Sequence, residues 1–305
     1  MASPNGQNKQ WAVLIEGLQK SYGSTTAVDG LSFQIPQGQT FGLLGPNGAG
    51  KSTTISMIAG LLSPDSGTVQ VFGQPPAQPL SRMNTGVAPQ SLALYDEFTA
   101  RENLTFFGRM YDLSGARLRD RTKWSLELAG LVDRADDRVS TYSGGMKRRL
   151  NIAVAMIHDP DLILLDEPTV GVDPQSRNFI FEAIEQLRSN GKTILYTTHY
   201  MEEAQRLCDQ IAIVDHGRLM ALGTVDSLIS EHGGYSKVYA EVESVPTGFE
   251  FPGTFEESSL RFESADPVRE ISRMYSAGVA FRTLTMERPD LENVFLALTG
   301  KSLRD

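Results

Sequence analysis

Short apolar runs alternate along much of this chain with segments whose apolar residues recur every three or four positions. Residues 11–15, 31–35, 40–44, 68–72, 86–88, 162–165, 193–197 and 211–214 read as strands. Residues 52–62 carry Ile55, Ile58, Ala59 and Leu62 on one side of a helix, and residues 175–189 carry Phe179, Ile180, Ala183, Ile184 and Leu187. Helices are also predicted over residues 144–157, stopped by Asp159-Pro160, and over residues 201–207. Strands alternating with helices predict a mostly parallel sheet with helices on both faces, an α/β fold.

Two stretches depart from that alternation. In residues 91–142, Thr99-Ala100-Arg101-Glu102 has the form of a capping box, and Leu104, Phe107 and Tyr111 follow at helical spacing. Residues 117–131 form a second helical segment with Trp124, Leu128 and Leu131. This is the pattern of a helical subdomain inserted into the α/β core. Past residue 233, strands at 237–242, 260–263 and 279–286 mix with helices at 267–276 and 290–298. The expected organisation is a core domain over residues 11–232 and a small α+β accessory domain over residues 233–305. Residues 1–10 lack an apolar core, so they are expected to be a disordered tail rather than a secretion signal.

Composition narrows the chemistry. The chain has 305 residues, 40% of them hydrophobic and 21% charged, with a net charge of −9. The sequence pI is about 5.1 and the mean hydropathy −0.22. Such an acidic balance argues against a general nucleic-acid binder and against direct adhesion to anionic lipid. No apolar run has the length that crosses a bilayer. One cysteine, Cys208, and four scattered histidines exclude a disulfide framework and a cysteine-rich zinc site. A reducing cytoplasm is the natural compartment.

Gly45-Pro46-Asn47-Gly48-Ala49-Gly50-Lys51-Ser52-Thr53 fits the phosphate-binding pattern G-x-x-x-x-G-K-[ST] at every fixed position, between an expected strand and an expected helix. Glycines let successive backbone N–H groups turn inward on a phosphate, and the helix start adds free donors and a positive dipole end. Lys51 supplies a point charge for the phosphates, and the Ser52 hydroxyl can hold Mg²⁺. Leu162-Ile163-Leu164-Leu165-Asp166-Glu167 brings two carboxylates to the end of an apolar strand, where ligands sit in open α/β sheets. Asp166 can orient a Mg²⁺ shell and Glu167 can polarise an attacking water. Tyr142-Ser143-Gly144-Gly145-Met146 opens a helix with a serine and two glycines, which makes a second anion site from backbone donors.

With these motifs in this order, residues 11–225 resemble the ATP-binding subunit of ABC transporters, and Ser143-Gly144-Gly145 resembles that family's signature element. The resemblance implies a P-loop fold of ABC type with the inserted helical subdomain. It also implies binding and hydrolysis of ATP with Mg²⁺. Carried over residue by residue, it matches Tyr22 to the aromatic that stacks on adenine, and Gln90 to the glutamine that reaches Mg²⁺ and senses the membrane partner. It matches Asp173 to the loop across the dimer seam and His199 to the residue that contacts the γ-phosphate. Each position also has a plainer reading: a turn aromatic, a solvated glutamine, a helix N-cap and a structural histidine. Tyr142 and Met146 stand where the family has leucine and glutamine.

The resemblance further implies a dimer, of identical or closely related subunits, with ATP between them and Ser143 of one protomer against the phosphates held by the other. The expected partner is a separately encoded membrane permease, which would hold the chain on the inner face of the cell membrane. Tyr-Ser-Gly-Gly-Met-Lys-Arg-Arg-Leu and the ending from Asp290 to Gly300 are similar to the subgroup serving exporters of drugs, antibiotics, lipids or polysaccharides. The competing reading is a soluble ABC ATPase of DNA repair or translation.

Overall fold

An antiparallel hairpin of β1 (Trp11–Tyr22) and β2 (Thr25–Pro36) opens the structure, a computed structural model that describes residues 11–300. Both strands are longer than their apolar runs. Their polar ends, Ser21 against Thr26 and Tyr22 against Thr25, are strand because of pairing across the hairpin rather than burial. The tail expected at residues 1–10 lies outside the described residues.

β3 (Thr40–Leu44) is buried throughout and leads into α1 (Lys51–Ile58). β4 (Ser66–Val71) returns to pair with β1, giving a three-stranded antiparallel sheet of order β2-β1-β4. α2 (Pro79–Met83) and β5 (Thr85–Ala88) precede the helical region of α3 (Ala100–Met110), α4 (Gly115–Ala129) and α5 (Gly144–Ala155). Then come β6 (Leu162–Asp166), α6 (Pro174–Ser189), β7 (Thr193–Thr198), α7 (Met201–Leu207), β8 (Gln210–Asp215) and β9 (Arg218–Gly223).

The six-stranded sheet has the order β5-β6-β7-β3-β8-β9, and its pairs from β5 to β8 are parallel. The parallel sheet expected from the alternation is therefore present, but the antiparallel sheet beside it was not separable from it by pattern. One core joins them: Val13, Phe33, Phe41, Leu43, Leu164 and Leu195 belong to a single buried cluster, with Phe33 stacked on Phe41 at 5.1 Å. The topology places the C-terminal ends of β6, β7 and β3 side by side. Those ends deliver Asp166-Glu167, His199 and the glycine loop.

The capping box of α3 is formed: Glu102 N donates to Thr99 Oγ1 at 3.1 Å and Thr99 N to Glu102 Oε2 at 2.8 Å. Leu104, Leu126 and Leu131 bury against Leu150, Ala153 and Ile157, so the core of the helical region reaches past residue 142 into α5. Just after α5, His158 is buried and stacked on Tyr111 with ring centroids 3.6 Å apart. Its Nε2 donates to Thr85 O at 3.3 Å while Nδ1 has no partner.

Burial pushes the His158 pKa down from 6.5 to about 4. The ring stays neutral in the fold, whereas the unfolded chain takes up a proton below its ordinary value. Its contribution to stability is complete above pH 6.5 and is lost as pH falls toward 4. About 2 kcal/mol is lost by about pH 5. His158→Phe, which keeps a ring against Tyr111, is expected to lack that loss. Urea midpoints of the two proteins at neutral pH and about pH 5 check it; an equal difference at both pH values would contradict a neutral buried ring.

The chain divides into two compact units between Leu222 and Gly223, ten residues before the boundary expected from the sequence. The reason is α8 (Val225–His232), which packs against α10 (Leu291–Thr299) of the second unit. That unit also contains β10 (Ser236–Ser244), β11 (Thr254–Glu256), β12 (Ser259–Ser264), α9 (Pro267–Ser276) and β13 (Ala280–Glu287). Its sheet is antiparallel, of order β11-β12-β10-β13, over a core including Val238, Leu260, Phe262 and Met274. No helix among the described residues is long and apolar enough to cross a membrane.

Candidate functional site

The glycine loop is held by contacts that leave no space for side chains at two of its positions. A Cβ on Gly45 would stand 2.3 Å from Val214 O. A Cβ on Gly50, at φ +95°, would stand 2.2 Å from Ala27 O. Between them Ala49 N donates to Pro46 O at 3.2 Å and closes the turn. Gly50 is also the N-cap of α1, so the loop ends on the free donors of that helix.

Lys51 folds back over the loop. Its Nζ donates to Gly45 O at 2.7 Å and to Pro46 O at 3.0 Å, and lies 3.0 Å from Glu167 Oε1. Both members of this ion pair are buried. Glu167 has φ +45°, the left-handed region that a non-glycine residue occupies only when its surroundings impose it. Thr197 supplies part of that constraint: its Oγ1 accepts from Glu167 N at 2.9 Å and donates to Asp166 Oδ1 at 2.7 Å. Gln90 Nε2 donates to Glu167 Oε2 at 3.4 Å. His199 Nδ1 lies 3.4 Å from Glu167 Oε1 without a hydrogen bond, an orphaned polar atom in the wall of the site.

A cavity of about 720 Å³ opens over this cluster. Tyr22, Asn47, Gly48, Gly50, Lys51, Ser52, Thr53, Gln90, Glu167 and His199 line it, joined by Thr25 and Thr26 from the tip of the hairpin. Gly45, Pro46 and Ala49 shape the loop but are not in the lining, and neither is the buried Asp166. A second cavity, of about 530 Å³ in the second unit, is lined by residues such as Lys237, Glu263, Glu287 and Arg288 and by none of the expected site residues.

Ser143, Gly144, Gly145 and Asp173 gather elsewhere. Ser143 caps α5, its Oγ accepting from Met146 N at 3.2 Å. A Cβ on Gly145 would stand 2.1 Å from Ser176 Oγ, so this glycine permits the start of α5 to approach the start of α6. Asp173 caps α6 by accepting from Ser176 N at 2.9 Å, and these local hydrogen bonds hold its carboxyl below the usual range. Within one chain Asp173 is thus the N-cap of the plainer reading. Ser143 and Gly144 are exposed, and nothing lies within 4 Å of where a Gly144 side chain would start.

The two departures from the family pattern have local reasons. Tyr142 is buried and donates its hydroxyl to Arg134 O, and Met146 packs on the same helical core. α5 also grips the loop that carries Gln90. Arg148 Nη1 donates to Pro89 O at 3.2 Å and Gln90 O at 2.8 Å, and Asn151 Nδ2 donates to Pro89 O at 3.2 Å. Periodicity did not single out these residues. The available signal was a cation and an amide on the buried side of an otherwise apolar helix.

The ABC transporter family pattern matches residues 28–170. The chain is 43% identical over 307 residues to the linearmycin resistance ATP-binding protein of Bacillus subtilis (strain 168), covering 95% of this chain and 99% of that protein. It is 44% identical over 305 residues to the Nod factor export ATP-binding protein I of Ralstonia nicotianae, covering 95% and 94%. Among solved structures, an ATP-binding subunit of an ABC transporter matches with a TM-score of 0.67 at 31% identity, covering 73% of this chain and 93% of the other. cbiO1 from Clostridium perfringens, part of the ABC transporter complex cbiONQ, matches with a TM-score of 0.64 at 26% identity, covering 70% and 89%. Nothing in these relatives favours a soluble ATPase of DNA repair or translation. Likeness of this depth, along nearly the whole of both sequences, has one consequence: the chain belongs to the ABC transporter family, as an ATP-binding subunit that hydrolyses ATP to power transport.

Proposed function

We propose that the chain binds MgATP in the Lys51 cavity, closes on it as a dimer and drives a separately encoded exporter from the inner face of the membrane. The observation that carries this is the convergence of Lys51, Glu167, Gln90 and His199 on one cavity. In this reading Gly45 to Thr53 cradle the phosphates, Lys51 neutralises the terminal ones and the half-exposed Tyr22 ring stacks on adenine. Glu167 orients and deprotonates the attacking water, and His199, in the cavity lining, contacts the γ-phosphate.

Ser52, Gln90 and Asp166 offer hydroxyl, amide and carboxylate oxygens, a donor set suited to Mg²⁺. Mg²⁺ at such sites is usually held by one or two carboxylates together with substrate phosphates. Bound there, Mg²⁺ would neutralise charge on the phosphates.

The permease contact is assigned to the helical region. Leu92, Tyr95, Phe98, Phe106 and Met110 are exposed large apolar residues, and Tyr95 packs edge-on to Phe106 at 5.0 Å and against Phe98 at 5.2 Å. Such a patch close in sequence to Gln90 suits an apolar partner segment. The relatives named for linearmycin resistance and Nod factor export support an exporter of drug, antibiotic, lipid or polysaccharide as the partner.

Phe106→Glu tests the assignment. The purified variant is expected to keep its basal ATPase rate while its recovery with the permease from solubilised membranes falls at least about tenfold, since charge at the centre of an apolar contact is poorly tolerated. Normal recovery of the permease would move the contact elsewhere.

A further inference from the structure

Glu203, on α7, is a buried acid with no part in the chemistry above. Its Oε1 accepts from Thr169 Oγ1 at 2.7 Å, and its Oε2 accepts from Tyr196 OH at 2.9 Å and Thr198 Oγ1 at 2.8 Å. The Arg177 guanidinium stands off at 3.9 Å. Burial and the neighbouring carboxylate push the Tyr196 pKa far up, which keeps its hydroxyl a donor. A buried carboxylate is an expensive way to fill space, and apolar residues of similar volume often stabilise a fold as well or better. What this one does that an apolar residue could not is to fix several hydroxyls at once.

Those hydroxyls sit on the segments that build the catalytic cluster. Thr169 lies in the turn that begins at Glu167, where Val170 N donates back to Glu167 O at 3.3 Å. Thr198 immediately precedes His199, and its Oγ1 also accepts from Tyr200 N at 2.9 Å, beyond the histidine. The Thr198 carbonyl accepts from Gly45 N, the first residue of the glycine loop, at 3.3 Å. One carboxylate therefore connects the Glu167 turn to the His199 segment, and through Thr198 to the phosphate loop.

We propose that Glu203 is a positioning residue for ATP hydrolysis: by holding Thr169 and Thr198 together it sets the placement of the Glu167 carboxylate against the His199 ring. This rests on the reading above that Glu167 and His199 act at the γ-phosphate. The φ of +45° at Glu167 makes the need specific. A residue in that region relaxes unless its surroundings determine it on both sides. Thr197 holds the Glu167 N–H, and Glu203 holds the turn that follows through Thr169. Release of the second hold lets the carboxylate drift, and a drift of about 1 Å can cost roughly a hundredfold in rate.

The test uses the full-length chain with Glu203→Gln, Thr169→Val and Thr169→Ser, alone and in the Glu167→Gln background. Glu203→Gln and Thr169→Val are expected to lower kcat about 10- to 100-fold with the ATP dissociation constant held within about twofold. Thr169→Ser, which keeps the hydroxyl, is expected to retain most turnover. In the Glu167→Gln background neither loss should appear again, because the residue being positioned no longer acts. Should Glu203→Gln not fold, the Thr169 pair decides alone, since valine matches threonine in shape. A Thr169→Val kcat within about twofold of wild type, beside an inactive Glu167→Gln, overturns the proposal. Losses that multiply in the double variants also overturn it, as they mark a merely structural role. Near-normal turnover in Glu167→Gln itself would instead refute the catalytic assignment on which the proposal stands.

Discussion

Glu167→Gln is expected to lose at least about a hundredfold of the steady-state ATPase rate, the size of contribution made by a general base. The same variant is expected to bind MgATP as tightly as wild type or several-fold more tightly. The two expectations come from different contacts. Loss of rate follows from removing the one carboxylate in the cavity lining that can take a proton from water, since the neighbouring Asp166 is not in that lining and binds Thr197 through Oδ1. Retained or improved affinity follows from the ion pair. Lys51 Nζ is 3.0 Å from Glu167 Oε1 in a buried setting, so phosphates that take up Lys51 must displace that carboxylate. The amide keeps the shape and removes the competition. Titration with a fluorescent ATP analogue and a phosphate-release assay on the same preparation check both halves. A near-wild-type rate would remove Glu167 from the role of base, and a clear fall in affinity would mean that Lys51 depends on the pair for its own placement.

Legibility in the sequence followed the range over which each feature is determined. The buried strands β3, β6, β7 and β8 and the amphipathic α6 were readable because burial imposes a local period. The phosphate loop was readable because the backbone it needs demands glycine at fixed spacing, as the close approaches at Gly45 and Gly50 bear out. Pairing is not local. The β1–β4 pairing joins residues tens of positions apart, and the polar ends of the β1–β2 hairpin carry no apolar alternation, so pattern could not separate this sheet from the parallel one. The short β9 follows β8 through His216-Gly217, both at positive φ, a two-residue hairpin turn that a motif search for Asn-Gly or Asp-Gly passes over.

The candidate site divides in the same way. Lys51, Glu167, Gln90 and His199 were named from motifs and meet at one cavity. Thr197, Asn151 and Glu203, which help hold those residues in place, were not named from any motif, and Arg148 entered only within the Tyr-Ser-Gly-Gly-Met-Lys-Arg-Arg-Leu run, without a role. Their roles become visible only when β6, β7, α5 and α7 are brought together. Asp173 shows the limit from the other side: a motif position points to a role between two chains, while in a single chain its contact is an ordinary cap on Ser176.

ATP-driven dimerisation is expected to weaken at least about tenfold when Ser143 is replaced by Asp, the effect of about 1.4 kcal/mol of unfavourable interaction at one contact. The chain carries two helix starts suited to an anion, at Ser52 and at Ser143, and only the first opens on the Lys51 cavity. Ser143 and Gly144 are exposed, and nothing of their own chain lies within 4 Å of where a Gly144 side chain would start. If the second start serves the same phosphates, it must come from a second copy, in the two-fold arrangement usual for such assemblies. Aspartate is an informative substitute because it caps a helix as well as serine does, so α5 should persist, while its charge opposes a phosphate. Ser143→Arg removes the cap as well and adds bulk, so it serves as the harsher companion. Light scattering with ATP in the Glu167→Gln background, where closed dimers should accumulate, reads the association directly. Titration of the same variant at low protein concentration reads ATP binding to the Lys51 cavity, which should be unchanged. Mixing Lys51→Ala with Ser143→Arg adds a functional arm, because a mixed dimer has one site with both lesions and one with neither. Some recovery of ATPase activity is expected if a single intact site can turn over. A Ser143→Asp protein that dimerises with ATP as the parent does would separate the two anion sites and leave the Lys51 cavity complete within one chain.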